Sequence, residues 1–281
     1  MAVRADAPQP NKATATMLLA IDAGNTNFTF AIYAAGGNML HSWRCRTDAG
    51  RTADEYAAWF YQLLSIQGLD MRDIGAAILS SVVPEANFHL FRFCRRTLGV
   101  EAMLVGDPSV RMNLNVRLDR PSEVGADRLV NAVATIRDHG APAVVIDFGT
   151  ATTFDVIDGN GDYCGGAIAP GLQLSMDALH RAAAKLPRIT VGRTESAIGR
   201  DTASAMRAGV YWGYVGLVEG MIRRIADEMG GAKPVTVATG GLAALFAGET
   251  GGIDVIDEDL TLRGLLYIYQ MNASSAGNGR N

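Results

Sequence analysis

The stretch LLAIDAGNTNFTFAIY (18–33) joins a short apolar run to an acid, Asp22, then to a small polar turn, then to an alternating segment. That pattern predicts a β-hairpin with strands at 17–21 and 28–33. VVIDFGTATTFDVID (144–158) repeats the outline, with strands at 143–146 and 152–157, the acid Asp147, and a turn of Gly149, Thr150 and Ala151. An element that recurs in this way marks a duplicated structural unit. Helical spacing is found at 52–68, 87–98, 123–139, 171–184, 202–229, 242–246 and 260–269, and further strands at 76–83, 102–105 and 234–238. Strands alternating with helices predict an α/β protein. Two related lobes, each led by a hairpin, would leave a cleft between them, which is a favoured place for a ligand. The expected division is 17–120 and 121–271, with the helix 123–139 at the boundary and flexible tails at 1–16 and 272–281.

The turns have the chemistry of an anion site. Gly24 lets the backbone approach a ligand closely. Asn25, Thr26 and Asn27 add amide and hydroxyl donors, and successive N–H groups in such turns form anion-binding nests. A carboxylate beside a phosphate repels it unless a metal lies between them. Mg²⁺ uses one or two carboxylates, several waters and phosphate oxygens, so Asp22 reads as a Mg²⁺ ligand acting through water. A hairpin turn whose Asp and Asn cap their own backbone has the same local sequence, and only the second copy at Asp147 favours the ligand reading. A third turn, Gly240-Gly241 in VTVATGGLAALF, leads a strand into a helix start that can accept phosphate. PSEVGADRLVNAVA (121–134) opens a helix, with Ser122 as an N-cap and with Asp127 and Arg128 in its first turns. Beside a cleft, such a pair suits phosphoryl transfer: the acid takes a hydroxyl proton and the guanidinium holds an anion.

Other nucleotide signatures are missing. The chain has no GxxxxGK[ST] loop and no GxGxxG after a strand. Asp147-Phe148-Gly149 spells the DFG triplet of protein kinases, but without the HRD and VAIK elements that give it meaning. Net charge is −4, which argues against broad nucleic-acid binding. No apolar run is long enough to span a membrane. The first sixteen residues lack the apolar core of a secretory signal. Cys45, Cys94 and Cys164 are widely spaced with no CxxC pair, which argues against a disulfide framework or zinc cluster and points to the reducing cytoplasm. Gly209, Gly213, Gly216 and Gly220 recur on one side of the 202–229 helix. They suit close approach of another backbone, either within the subunit or across a subunit interface.

Taken in order, DAGNT (22–26), PSEVGADR (121–128), IDFGTATTFD (146–155), GGAIAPGL (165–172), AAAKLP (182–187), GRDTASAMRAG (199–209) and ATGG (238–241) resemble the type III pantothenate kinases. These are the Bvg accessory factor-like branch of the acetate kinase/Hsp70/actin superfamily. The resemblance implies two ribonuclease-H-like, actin-like ATPase lobes with ATP in the cleft. It implies phosphorylation of the 4′-hydroxyl of pantothenate, the first step towards coenzyme A. By the same resemblance, Asp22, Ala23, Gly24, Asn25, Thr26, Asn27, Phe28 and Thr29 line the ATP phosphates, and Thr150 is a further ATP contact. Gly125, Ala126, Asp127 and Arg128 contact pantothenate, with Asp127 as general base; the guanidinium of Arg128 suits the pantothenate carboxylate. Asp147 holds the K⁺ or NH₄⁺ that the family requires. Thr202 reaches pantothenate at the interface of a homodimer.

One position departs from the family pattern. Where many members have a tyrosine three residues before the proline of PxEVGADR, this chain has Leu118, so that wall of the pocket is aliphatic or built differently. Two other readings stand beside the main one. One is another small-molecule kinase of the superfamily, acting on a sugar or acetate. The other is a nucleotide-binding regulatory protein without turnover, and some members of the family are described as accessory factors for virulence-gene expression.

Overall fold

The expected hairpin forms as β1 (Met17–Ala23) antiparallel to β2 (Asn27–Tyr33), with Asp22 opposite Thr29. The structure is a computed structural model that describes residues 16–182, 187–190, 192–230, 233–246 and 248–277. Residues 1–15 of the expected 1–16 tail and the middle of the AAAKLP motif lie outside the described residues. Strand β3 (Met39–Arg46) adds antiparallel to β2, while β4 (Ile74–Ser81) and β5 (Ala102–Leu104) continue parallel on the other side, giving the order β3-β2-β1-β4-β5. The second sheet repeats this plan. β6 (Ala143–Phe148) takes the place of β1, β7 (Ala151–Ile157) that of β2 and β8 (Tyr163–Pro170) that of β3. β9 (Val235–Thr239) and β10 (Val255–Ile256) complete the order β10-β9-β6-β7-β8. Asp147 stands opposite Thr153 as Asp22 stands opposite Thr29.

Helices cover both faces of the first sheet, which is why β1 is apolar almost throughout. On one face lie α1 (Ala53–Ile66) and α2 (Pro84–Phe93). A capping box between Thr52 and Glu55 starts α1, its buried Tyr56, Phe60 and Leu64 recur every four residues, and Gly68 at φ +70 ends it. On the other face lie α3 (Ala126–Asp138) and α7 (Leu260–Gly277), through Val130, Val133 and Leu265. Helix α3 also packs on the second sheet, through Leu129 and Ala132. It is therefore wedged between the two lobes, with its N-terminus at the cleft. At Gly264 a side chain would meet the Val130 carbonyl oxygen at 2.4 Å, so α7 crosses α3 backbone to backbone. The far face of the second sheet carries α5 (Thr202–Glu228) and the four-residue α6 (Ala243–Phe246), packed through Phe148, Tyr211, Tyr214 and Phe246. Helix α4 (Leu172–Ala182) follows β8.

Several expectations change. The 123–139 helix is broken: Pro121–Glu123 is a separate 3₁₀ turn, and α3 starts after Gly125, not Ser122. Helix α7 runs to Gly277, and Asn272, placed in the expected tail, hydrogen-bonds both the backbone N–H and the carbonyl of Arg111. Among the described residues, the α5 glycines meet no other element of the subunit. Among the described residues no atom lies within 4 Å of where a side chain would start at Gly209, Gly213 or Gly216, and at Gly220 the neighbour is Arg224 of the same helix.

Candidate active site

The two hairpin turns meet tip to tip. Gly24 N–H donates to the Asn27 carbonyl at 3.1 Å, and Gly149 N–H to the Ala151 carbonyl at 3.0 Å. Across the gap, the hydroxyl oxygens of Thr26 and Thr150 are 2.5 Å apart. Asn25, Thr26, Asn27 and Thr150 are exposed, while Asp22, Thr29 and Asp147 are half-buried. Ala23 and Phe28 are fully buried, with the Phe28 ring stacked near Tyr56. Of the expected phosphate-lining residues, these two can offer a ligand only their backbone. Thr47, unassigned in the sequence, braces the first turn: its hydroxyl donates to the Gly24 carbonyl at 2.6 Å and its N–H to the Thr26 carbonyl at 3.0 Å. Gly171 braces the second, since a side chain there would fall 2.2 Å from the Thr150 carbonyl oxygen.

Three carboxylates face one another across the cleft. Burial, then the charges of Asp127 and Asp147, pushes the Asp22 carboxyl up to about 7. Burial, then the charges of Asp127 and Asp155, pushes Asp147 up to about 7 as well. Asp127 itself is raised by burial, against the pull of the Arg128 backbone N–H, which donates to its Oδ1 at 2.8 Å. Gly125 leaves room for this, since a side chain there would lie 2.5 Å from Asp127 Oδ1. At Gly240, φ is +89 and a side chain would lie 2.5 Å from Asp147 Oδ1. This glycine thus packs against the acid, while among the described residues nothing lies within 4 Å of a side chain at Gly241.

One turn after Asp127, on the same face of α3, stands the buried Asn131. Its amide reaches Asp147 Oδ2 at 3.4 Å, and its carbonyl oxygen accepts from Thr261 Oγ1 at 2.7 Å. Arg128 turns towards the buried Asp155, its Nε donating to Oδ1 at 2.7 Å. Asp155 lies within a motif read for its turn, and neither it nor Asn131 was singled out by the sequence. Leu118 packs over Gly165, where a side chain would lie 2.9 Å from Leu118 Cδ2. Thr202 is exposed at the first position of α5, after the Asp201 cap, and among the described residues it hydrogen-bonds none of the cleft groups. Among the described residues no three His, Cys, Asp or Glu side chains are grouped to hold a metal directly.

Residues 18–224 match the family model of type III pantothenate kinases. The chain belongs to this family. A type III pantothenate kinase of Paramagnetospirillum magneticum is 56% identical over 258 residues, covering 92% of this chain and 98% of the relative. One from Rhodospirillum rubrum is 54% identical over 256 residues, covering 91% and 99%. Among solved structures, a Baf family protein of Campylobacter jejuni superposes with a TM-score of 0.57 at 19% identity, over 91% of this chain and 99% of that one. A Sinorhizobium meliloti protein named as a 2-dehydro-3-deoxygalactonokinase also gives 0.57, at 15% identity, over 90% and 96%. At those identities the likeness concerns the fold alone, two lobes each built on a five-stranded sheet of the same plan. No helix among the described residues is long and apolar enough to cross a membrane.

Proposed function

We infer that the protein transfers the γ-phosphoryl group of ATP to the 4′-hydroxyl of pantothenate, giving 4′-phosphopantothenate and ADP, the first step of coenzyme A biosynthesis. The observation that carries this reading is the place of Asp127: a half-buried carboxylate at the head of a helix wedged between two phosphate-type turns. Phosphoryl transfer has a loose transition state with little early deprotonation of the nucleophile, so positioning and charge neutralisation dominate. Asp127 orients the hydroxyl and accepts its proton late. The turns at Asn25–Thr26 and Thr150 offer N–H and O–H donors to the phosphates. Arg128 holds the pantothenate carboxylate through the nitrogens that Asp155 leaves free. Gly125 and Ala126 let the acceptor approach the start of α3.

The acids call for cations. Asp22 and Asp147 are both pushed up to about 7, by burial first and then by neighbouring acids. Such a surplus of buried negative charge fits Mg²⁺ at Asp22, through water, and K⁺ or NH₄⁺ at Asp147, oriented by Asn131. Bound there, the cations would offset the charge of the ATP phosphates.

The working unit in this reading is a homodimer. Among the described residues nothing covers the glycine side of α5 at Gly209, Gly213 and Gly216, a surface that suits the same helix of a second copy. Thr202 of α5 would then complete the pantothenate site of the neighbouring subunit. The three free cysteines suit the reducing cytoplasm, where ATP is at hand. A coupled ADP-release assay with pantothenate, a panel of sugars, and acetate, each with Mg²⁺ and K⁺ or NH₄⁺, tests the reading. ADP release that depends on pantothenate is expected. Release with a sugar or acetate instead, or none at all, would overturn it.

A further inference from the structure

Asp155 has no solvent exposure. A charge so buried persists only when paired and hydrogen-bonded. Oδ1 accepts from Arg128 Nε at 2.7 Å and from the Tyr163 hydroxyl at 2.6 Å, and Oδ2 accepts from Thr153 Oγ1 at 3.0 Å. The Tyr163 ring also stands 5.9 Å from the Arg128 guanidinium carbon, so one side chain touches both partners. The enclosure is built by the backbone. Gly166 is in register with Asp155, and a side chain there would fall 1.7 Å from the Phe154 carbonyl oxygen. Arg128 commits Nε to this anchor, and among the described residues its two Nη groups have no hydrogen-bond partner. Arg128 adjoins Asp127 in the chain, yet Asp127 receives the Arg128 backbone N–H and not its guanidinium.

We propose that Asp155, clamped by Tyr163 and Thr153, is a positioning residue: it fixes Arg128 by Nε, so that both Nη groups face the acceptor's carboxylate and the guanidinium cannot pair with Asp127. The proposal rests on the pantothenate kinase reading. An Arg presenting two parallel donors matches a carboxylate bidentately, and that geometry is lost if the guanidinium can swing. Asp155 does not touch substrate, so its effect must pass through Arg128.

The test is a double-mutant cycle on the full-length enzyme, with KM measured separately for pantothenate and ATP. Asp155→Asn should raise the pantothenate KM by about tenfold or more, the scale of one charge-assisted hydrogen bond, with the ATP KM within about twofold of wild type. In an Arg128→Gln background, Asp155→Asn should change the pantothenate KM by less than about twofold, because the group it positions is gone. Tyr163→Phe, which removes one bond to Asp155 and keeps the ring, should shift the pantothenate KM the same way by less. Additive effects in the double mutant, or equal rises in both KM values, would overturn the proposal. Should Asp155→Asn fail to fold, an unchanged pantothenate KM in Tyr163→Phe overturns it alone. Wild-type enzyme that releases no ADP with pantothenate fails the functional reading and this proposal with it. Wild-type turnover with additive mutants fails the proposal only.

Discussion

Thr26 and Thr150 bring their hydroxyl oxygens to 2.5 Å across the cleft, and so join the same turn of two duplicated lobes. The bond is exposed, so its net worth to the fold is at most about 1 kcal/mol. Its position matters more. Phosphates held by both turns must lie against these two hydroxyls. Thr150→Val should therefore weaken ATP binding by roughly tenfold, the scale of a hydrogen bond to a charged group, and leave the melting temperature almost unchanged. Calorimetric titration with ATP and a thermal melt check both. Unaltered ATP affinity would remove Thr150 from the phosphate site.

The paired acids predict an unusual pH dependence. Asp22 and Asp147 are each raised from 3.8 to about 7, by burial first and then by their acidic neighbours. A raised folded-state pKa favours the fold with the proton on. That contribution is fully present below the unfolded value and is lost as pH rises through about 7. Ligand-free protein should thus melt at a lower temperature near pH 8 than near pH 6. Asp147→Asn should raise the melting temperature near pH 8 and change it little near pH 5, while increasing the K⁺ or NH₄⁺ needed for half-maximal activity. No stabilisation of that variant at the higher pH would mean that the buried charge costs the fold nothing.

Gly125 offers a way to move Asp127 without changing it. Its φ of −59 is open to any residue, so alanine adds no backbone strain. A side chain at this position nevertheless starts 2.5 Å from Asp127 Oδ1. Gly125→Ala should displace the carboxylate and lower kcat by about tenfold or more, with a melting temperature within a few degrees of wild type. Unchanged kcat would show that Asp127 works equally well from a shifted position.

These details differ in how far the sequence reveals them. The hairpins at Asp22 and Asp147 are legible because strand period, acid and small turn are all local. Strand β3 is not, since HSWRCR puts an exposed polar residue at every second place on an edge with no long apolar run. Strand β8 is hidden by Gly165 and Gly166, which lower strand propensity and whose purpose, close passage over Phe154 and Asp155, appears only in three dimensions. The start of α3 is misread because Pro121 and Ser122 imitate a helix start, and the chain uses them for a 3₁₀ turn instead. Asp127 stands out as an acid in a helix's first turn. Asn131 and Asp155 do not, because their roles depend on partners that are distant in the chain or hidden by burial, Thr261 and Arg128.

The glycine side of α5 and the exposed Thr202 lead to a prediction about assembly. If each site takes Asp127 from one copy and Thr202 from the other, inactive Asp127→Asn and Thr202→Ala proteins should regain activity when mixed and allowed to exchange subunits. A mixed dimer then holds one intact site. Absence of recovery after exchange is verified by mass would place each site within a single chain.

In the proposed function Asp127 performs the proton chemistry of pantothenate phosphorylation between the two turns. Its most direct test is pantothenate-dependent ADP release by wild type and by Asp127→Asn, with ATP affinity measured on both. The account predicts release only with pantothenate, a kcat lower by ~10²–10⁴-fold in the variant, and ATP affinity within about twofold of wild type. A variant that turns over pantothenate at the wild-type rate would contradict it.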